Sequence, residues 1–426
     1  MRTLKVRIER GGRMISVGVI TEKNPMEAEF SYLPEYLERA DSVPISLSLP
    51  LQTEAFSSEK TRNFFDGMLP EGFTRRSVAQ WVRADEDDYL SILDSLGREC
   101  LGAIQIVEES AVPPEPEYRK LSMEEIRALA AEGASRSAEI LKQTHLSLTG
   151  ATGKVGLYYR KEEDAWYFPA GTAPSTHIVK QSHVRLKNIV LNEQLALRTA
   201  ANAGLDVPES FIIDAGGGED KDVLFATRRY DRIFGEMPRY ANSMPMPMRL
   251  HQEDFAQALG IRAINKYEQP GENYLFRMFD VLQKYSADPI ADRMKLWDVV
   301  IFDYLVGNTD NHIKNCSLLY SPDLRQKRLA PAYDIVSTAV YPESTRTMAY
   351  RIGDTAELDR VNRESFVMAA EELRIGRSLA MRHFDALADR FEKALEDAAD
   401  TLRDSGFVHT DELREAILSR GGYSRL

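Results

Sequence analysis

Cysteine is nearly missing from this chain: 426 residues hold two, Cys100 and Cys316. They stand too far apart to form a C-x-x-C pair, which argues against a disulfide framework or a cysteine-ligated zinc site and fits buried thiols in a reducing compartment. Long hydrophobic runs are lacking too. No apolar stretch approaches the ~18 residues that a transmembrane helix needs. The opening "MRTLKVRIERGG" alternates charge with aliphatic residues where a secretory signal would place an apolar block, so the expected location is the cytoplasm. Excess positive charge is also absent. With 66 acidic against 54 basic residues the net charge is -12, which excludes a surface given over wholly to nucleic acid. The stretch "MPRYANSMPMPMRL" sets two arginines among prolines and methionines and reads as an ordered loop rather than a DNA-binding stripe.

What is present is globular: 43% hydrophobic and 28% charged residues, in a chain long enough for two domains or one large bilobal one. The first part is mixed. "LKVRIER" and "MISVGVI" alternate as strands around a "GGR" turn, and "TRNFFDGMLPEGFTRRSVAQWV" reads as helix split by Pro70 and Gly72. The acidic "ADEDDY" reads as a solvated turn before a helix. Residues 108 to 120, "EESAVPPEPEYRK", are proline-rich and acidic and make the best linker. A helix follows, with Ser122 as cap and Glu124 and Glu125 in its first turn. Then "LSLTGATGKVGLYYR" and "AWYFPAGTAPSTHIVKQS" form a small sheet, "NIVLNEQLALRTAANAGL" is a helix ended by Gly204, and the remainder is mostly helical, broken by a hairpin-like "CSLLYSPDLRQKRLAPAYDI". No internal repeat is visible. The expected division is an N-terminal subdomain over 1–110, a linker and helix over 111–143, an ATP-binding part over 144–230, and a helical lobe over 231–426.

The chemistry concentrates in a few places. Gly150, Gly153 and Gly156 form G-x-x-G-x-x-G between β-rich runs, with Lys154 inside it. Bare backbone N–H groups there can approach phosphate oxygens, although taken alone a structural hairpin is the plainer reading of the glycines, and neither the Walker A nor the G-x-G-x-x-G pattern is met. Lys180 ends the extended run "STHIVK", and Glu193 lies in the next helix, the arrangement by which protein kinases aim an ammonium at nucleotide phosphates; a surface lysine and a solvated glutamate are the plain alternative. In "GNTDNHIKNCSLL", Gly307 can end a helix in the left-handed conformation. Asp310 and Asn315 then reproduce the D-x-x-x-x-N spacing of a kinase catalytic loop, and Asp334 in "APAYDIVS" stands where a kinase places a metal-binding acid. His312 can touch phosphate or support the loop, and the supporting role is the commoner one for a loop histidine. His251 reads as structural. Glycine loop, Lys, Glu, Asp-x4-Asn and Asp follow one another in the order of one machine.

The chain resembles the HipA-type serine/threonine kinases, toxins of bacterial toxin–antitoxin modules. The likeness runs through "SYLPEYL", "PISLSLPL", "FFDGMLPEG" and "LGRECLGAIQ", then "LSLTGATGK", "THIVK", "NEQLAL", "RRYDR", "LHQEDFAQALG", "GNTDNHIKN" and "APAYDIVST". It implies an α+β, bilobal protein-kinase-like fold with an N-terminal α/β subdomain and a mostly helical C-terminal lobe. It also implies ATP and Mg²⁺ as cofactors, with Lys180 on the ATP phosphates, Asp310 as catalytic base, and Asn315 and Asp334 on the metal. The backbone of Arg228 and Tyr230 would meet adenine, and Ser147 would be autophosphorylated. The phosphate loop departs from the family's usual A-G-A-Q-x-K at Thr149, Thr152 and Gly153, and Arg228 stands where an acid is common. The partners implied are a protein substrate, an aminoacyl-tRNA synthetase, and a HipB-like helix-turn-helix antitoxin that ties the chain indirectly to DNA. A nucleotide-binding corepressor without strong catalysis is the rival reading.

Overall fold

The computed structural model describes residues 2–24, 26–108, 114–132, 153–182, 186–236 and 238–426. They fall into two compact units: Met1–Gln181 with Ala226–Ala263 and Leu318–Gln326, and Ser182–Phe225 with Ile264–Ser317 and Lys327–Leu426. Helices and sheets are both present, as expected for an α+β protein. Among the described residues no helix is long and apolar enough to cross a membrane.

In the first unit, β1 (Thr3–Arg10) and β2 (Arg13–Asn24) pair antiparallel, with Arg10 opposite Arg13. The chain reverses on Gly11 at φ 52° and Gly12 at φ 80°, two successive left-handed positions that a side chain would make costly. With β3 (Glu27–Tyr32) and β4 (Ile104–Glu108) they form a sheet in the order β3-β2-β1-β4. Leu4, Val6 and Ile8 alternate into its core. The helix Ser58–Phe65 packs on β3, where Phe30 meets Phe65 at 5.3 Å and Phe56 at 5.9 Å between ring centres. The break at Pro70 and Gly72 occurs as expected, the next helix being Gly72–Val82. Asp88 of the acidic stretch caps the helix Tyr89–Leu96.

A second sheet in this unit runs β5 (Glu117–Lys120), β7 (Ala165–Ala170), β6 (Lys154–Arg160), β8 (His177–Gln181) in spatial order. Composition assigned β5 to the linker, yet it pairs with β7 because Tyr118 is buried among Tyr158, Tyr167 and Met244. Ser122 and Glu125 then form a reciprocal cap for the helix Met123–Glu132. The arginine-bearing stretch expected as an ordered loop contains a hairpin, Arg239–Ala241 with Met244–Met246.

The second unit is built on the helices Ile189–Asn202, Pro289–Val306 and Arg377–Asp404. Trp297, Phe366 and Phe384 pack together there, Trp297 meeting Phe366 edge to face at 5.7 Å and Phe366 meeting Phe384 in a tilted pair at 4.7 Å. Each fully buried aromatic of this kind contributes about 1.5–3 kcal/mol through its removed surface. The indole N–H of Trp297 donates to the carbonyl of Ala380 at 3.1 Å, so burial leaves no orphan donor.

Candidate active site

The residues singled out around position 310 are held by the end of one helix. Pro289–Val306 begins at Asp288, whose side chain accepts from the Ala291 N–H at 3.2 Å, with Pro289 in the first turn where its missing N–H costs nothing. It ends at Gly307 in the left-handed conformation expected of it, φ 75°. A Cβ at Gly307 would come within 2.7 Å of Ala339 Cβ, so both the torsion and the close approach call for glycine.

Asp303, fully buried near the end of that helix, organises the turn that follows. Asn308 Nδ2 donates to its Oδ1 at 2.8 Å, and Asn311 Nδ2 donates to its Oδ2. Asn308 Oδ1 in turn accepts the Asp310 N–H at 3.1 Å. The Asp310 carbonyl accepts from His312 N–H at 2.8 Å and from Asn315 Nδ2 at 3.1 Å. Asp310, His312 and Asn315 therefore belong to one hydrogen-bonded turn rooted in a buried acid. Tyr267 completes it: its phenol donates to Asp310 Oδ1 at 2.5 Å.

The segment after Asp334 is tied to the same turn. Ser337 Oγ donates to the Val306 carbonyl at 2.6 Å, Ala339 N–H to the Gly307 carbonyl at 2.9 Å, and Thr309 N–H to Thr338 Oγ1 at 2.8 Å. Tyr333 Oη donates to the Lys314 carbonyl at 3.0 Å. Asp334 itself has φ 59°, a conformation that aspartate tolerates better than most side chains. Asn192, beside Glu193, clamps Ser337 by accepting its N–H and donating to its carbonyl, both at 3.0 Å. Glu193 is buried in this unit.

Electrostatics separates the roles of these groups. Burial pushes the His312 ring down to about 3; Lys266 and Lys314 push the same way, against Asp334 and a backbone hydrogen bond. The imidazole is neutral at neutral pH, which suits loop support, and its response to Asp334 puts that carboxylate within electrostatic reach of the turn. Burial pushes Asp303 up to about 7, against the pull of Asn308 and Asn311.

In the first unit Lys154 on β6 stands directly opposite Lys180 on β8, and directly opposed residues of an antiparallel pair carry their side chains on one face. Gly153 is buried immediately before β6. Gly150 and Ser147 lie outside the described residues. Arg228 is exposed at the end of the strand Val223–Arg228, and Tyr230 donates its phenol to Gln252 Oε1.

Between and beyond those two positions lies an ion cluster. Arg229, Arg232 and Arg249 are buried with Glu9, Glu99 and Asp231. Arg229 contacts Asp231 at 2.8 Å, Arg232 contacts Glu99 at 2.8 Å, and Arg249 bridges Glu99 and Glu9, the latter at 3.1 Å. Burial would raise Glu99, but the guanidiniums of Arg249, Arg232 and Arg229 outweigh it and hold the carboxyl below its ordinary range. This cluster fixes the backbone around Arg228 and Tyr230. His251 is structural as expected, its Nε2 lying 2.7 Å from the Ile45 carbonyl.

Sequence reasoning missed Asp303, Asn308, Asn311, Tyr267 and the ion cluster. Asp303 had a signal, an acid inside the apolar "VVIFDYLV". Tyr267 had none, since 43 residues separate it from Asp310. Among the described residues, no three or more His, Cys, Asp or Glu stand together as a metal centre.

Comparison with known proteins identifies the architecture. The HipA N-terminal domain matches residues 12–107 and the HipA-like C-terminal domain matches residues 146–402. The chain belongs to the HipA family. A putative kinase, Y4mE of Sinorhizobium fredii, is 33% identical over 421 residues, which cover 96% of each chain. The serine/threonine-protein kinase toxin HipA of Shewanella oneidensis is 26% identical over 365 residues, 83% of this chain and 80% of that one. The fold is that of HipA: the solved Shewanella oneidensis complex of HipA, HipB and operator DNA superimposes with a TM-score of 0.79 at 21% identity, covering 99% of this chain and 97% of that one. Within this family the chain is an enzyme of the protein kinase class.

Proposed function

We propose that the chain is a Mg²⁺-ATP-dependent serine/threonine kinase toxin that phosphorylates a component of translation, an aminoacyl-tRNA synthetase. It also phosphorylates itself at Ser147, acts in the cytoplasm, and is neutralised by a HipB-like helix-turn-helix antitoxin that connects it to DNA. The observation carrying the phosphotransfer reading is the turn that presents Asp310 and Asn315 from one hydrogen-bonded frame, with Asp334 in electrostatic reach. The antitoxin and DNA rest on family membership and on the Shewanella complex, which contains HipB and operator DNA.

In this reading Asp310 receives the proton of the acceptor hydroxyl and orients its oxygen for in-line attack. Lys154 and Lys180 meet the nucleotide phosphates, Gly150 and Gly153 let the backbone approach them, and Glu193 belongs to the same ATP-binding set. The opposition of the two lysines supports this, because it sets two cationic side chains on one face of the sheet. The backbone at Arg228 and Tyr230 receives adenine, held in place by the ion cluster. Asn315 and Asp334 offer an amide and a carboxylate oxygen, hard donors of the kind Mg²⁺ takes. Bound there, the ion would neutralise charge on the transferring phosphoryl group. His312, neutral and buried, supports the loop beside the phosphates.

The test is phosphoproteomics of cells expressing the chain against an Asp310→Asn control. An aminoacyl-tRNA synthetase peptide and the Ser147 peptide should gain phosphate only with the unsubstituted chain. Phosphate on neither, with another protein modified instead, would leave the kinase and remove the named targets.

A further inference from the structure

Tyr267 has no role assigned by the motifs, yet its phenol donates to Oδ1 of Asp310 at 2.5 Å. We propose that Tyr267 is a positioning residue for phosphoryl transfer: its hydroxyl sets the rotation of the Asp310 carboxylate so that the acceptor hydroxyl meets it in one orientation. This rests on the reading of Asp310 as the base.

The geometry supports a built contact. The segment carrying Tyr267 is fastened on each side: the Ile313 N–H reaches the Lys266 carbonyl at 3.4 Å, and the Glu268 N–H donates to the Ala349 carbonyl at 2.8 Å. Half-buried Glu268 accepts from the N–H of Tyr274 at 2.7 Å and of Arg351 at 3.2 Å, so the backbone is anchored immediately after the tyrosine. The ring, on a residue 42% exposed, has contacts of its own as well. It stands edge to face with His312 at 5.3 Å and 82°, and the Lys266 ammonium lies over it at 5.6 Å. Ring and backbone are thus set before the hydroxyl reaches the carboxylate. Asp310 itself is exposed within a turn whose neighbouring residues are buried, so water reaches its carboxylate and a fixed partner favours one productive orientation. A short O–H···O⁻ bond is among the stronger hydrogen bonds available for holding it.

Two variants separate a positioning role from ring packing. Tyr267→Phe keeps the ring against His312 and removes only the hydroxyl, whereas Tyr267→Ala removes both. Turnover is read as γ-phosphoryl release from labelled ATP with Mg²⁺, counting transfer to the chain's own hydroxyls and to water. Tyr267→Phe should lower kcat about tenfold, which corresponds to about 1.4 kcal/mol. The KM for ATP should stay within about twofold and the melting temperature should not move, since the hydroxyl acts on the Asp310 carboxylate and not on nucleotide binding, so the loss falls on kcat. Tyr267→Ala should lose little more than Tyr267→Phe. Wild-type kcat in Tyr267→Phe with a loss confined to Tyr267→Ala would overturn the proposal, leaving the ring as packing. A parallel Asp310→Asn measurement keeps the two failures apart. Turnover surviving in Asp310→Asn would overturn the underlying reading, whereas a silent Tyr267→Phe beside an inactive Asp310→Asn would overturn this inference alone.

Discussion

Replacing Asp303 by alanine tests whether the candidate catalytic turn is rooted in that buried acid. The substitution deprives the side-chain amides of Asn308 and Asn311 of their acceptor. A buried donor left unsatisfied costs about 1–3 kcal/mol, so two give about 2–6 kcal/mol before relaxation. The penalty has a pH dependence with a definite sign. The folded carboxyl sits at about 7, raised by burial, whereas in the unfolded chain it lies near the ordinary aspartate value of about 3.9. A raised group contributes stability that is fully present below the unfolded value and is lost as pH rises through the folded one. Asp303→Ala should therefore cost most at pH 4–5 and distinctly less at pH 8, a window taken from those two values. Urea denaturation at the two pH values measures it. Activity should fall as well, by about 10- to 100-fold, because Asn308 would no longer be held to receive the Asp310 N–H and a small misplacement of a reacting group is costly. A penalty that is flat with pH, or that grows toward pH 8, would refute the reasoning, as would full activity in the variant.

Two further outcomes concern the first unit. Glu99→Gln leaves the Arg232 and Arg249 guanidiniums without their shared carboxylate and should cost about 3–5 kcal/mol at pH 7. Glu99 is held below its ordinary range, so its contribution is present above the unfolded value of about 4.3 and lost as pH falls below it; urea curves at pH 7 and 3.5 should show the penalty shrinking. Lys180→Ala should weaken the melting shift produced by ATP with Mg²⁺, which for the unsubstituted chain at ~100 times its dissociation constant amounts to about 2.7 kcal/mol. An equal shift in both proteins would contradict a phosphate contact.

Local chemistry made some of this legible from residues alone. Two glycines in succession required the β1–β2 reversal, Pro70 and Gly72 split a helix, and Gly307 had to end one, because each constraint acts over a few residues. The turn at 310–315 was legible through spacing for the same reason. Contacts between distant segments were not: Tyr267 reaches Asp310 across 43 residues and Glu99 meets Arg249 across 150, and no local pattern encodes such pairings. The "RRYDR" stretch showed its charges without revealing that three of them are buried. The strand Glu117–Lys120 was obscured by neighbouring prolines, since only one of its side chains, Tyr118, faces the core.

The measurement that bears most directly on the account is single-turnover transfer of the γ-phosphoryl group from labelled ATP by Asp310→Asn, Asp334→Asn and His312→Ala. One aspartate variant removes the carboxylate that receives the acceptor proton and the other removes a metal-binding oxygen, so both should be inactive, while His312→Ala, lacking a neutral supporting ring, keeps measurable transfer. Transfer at the unsubstituted rate in either aspartate variant would contradict the assignment of the catalytic turn.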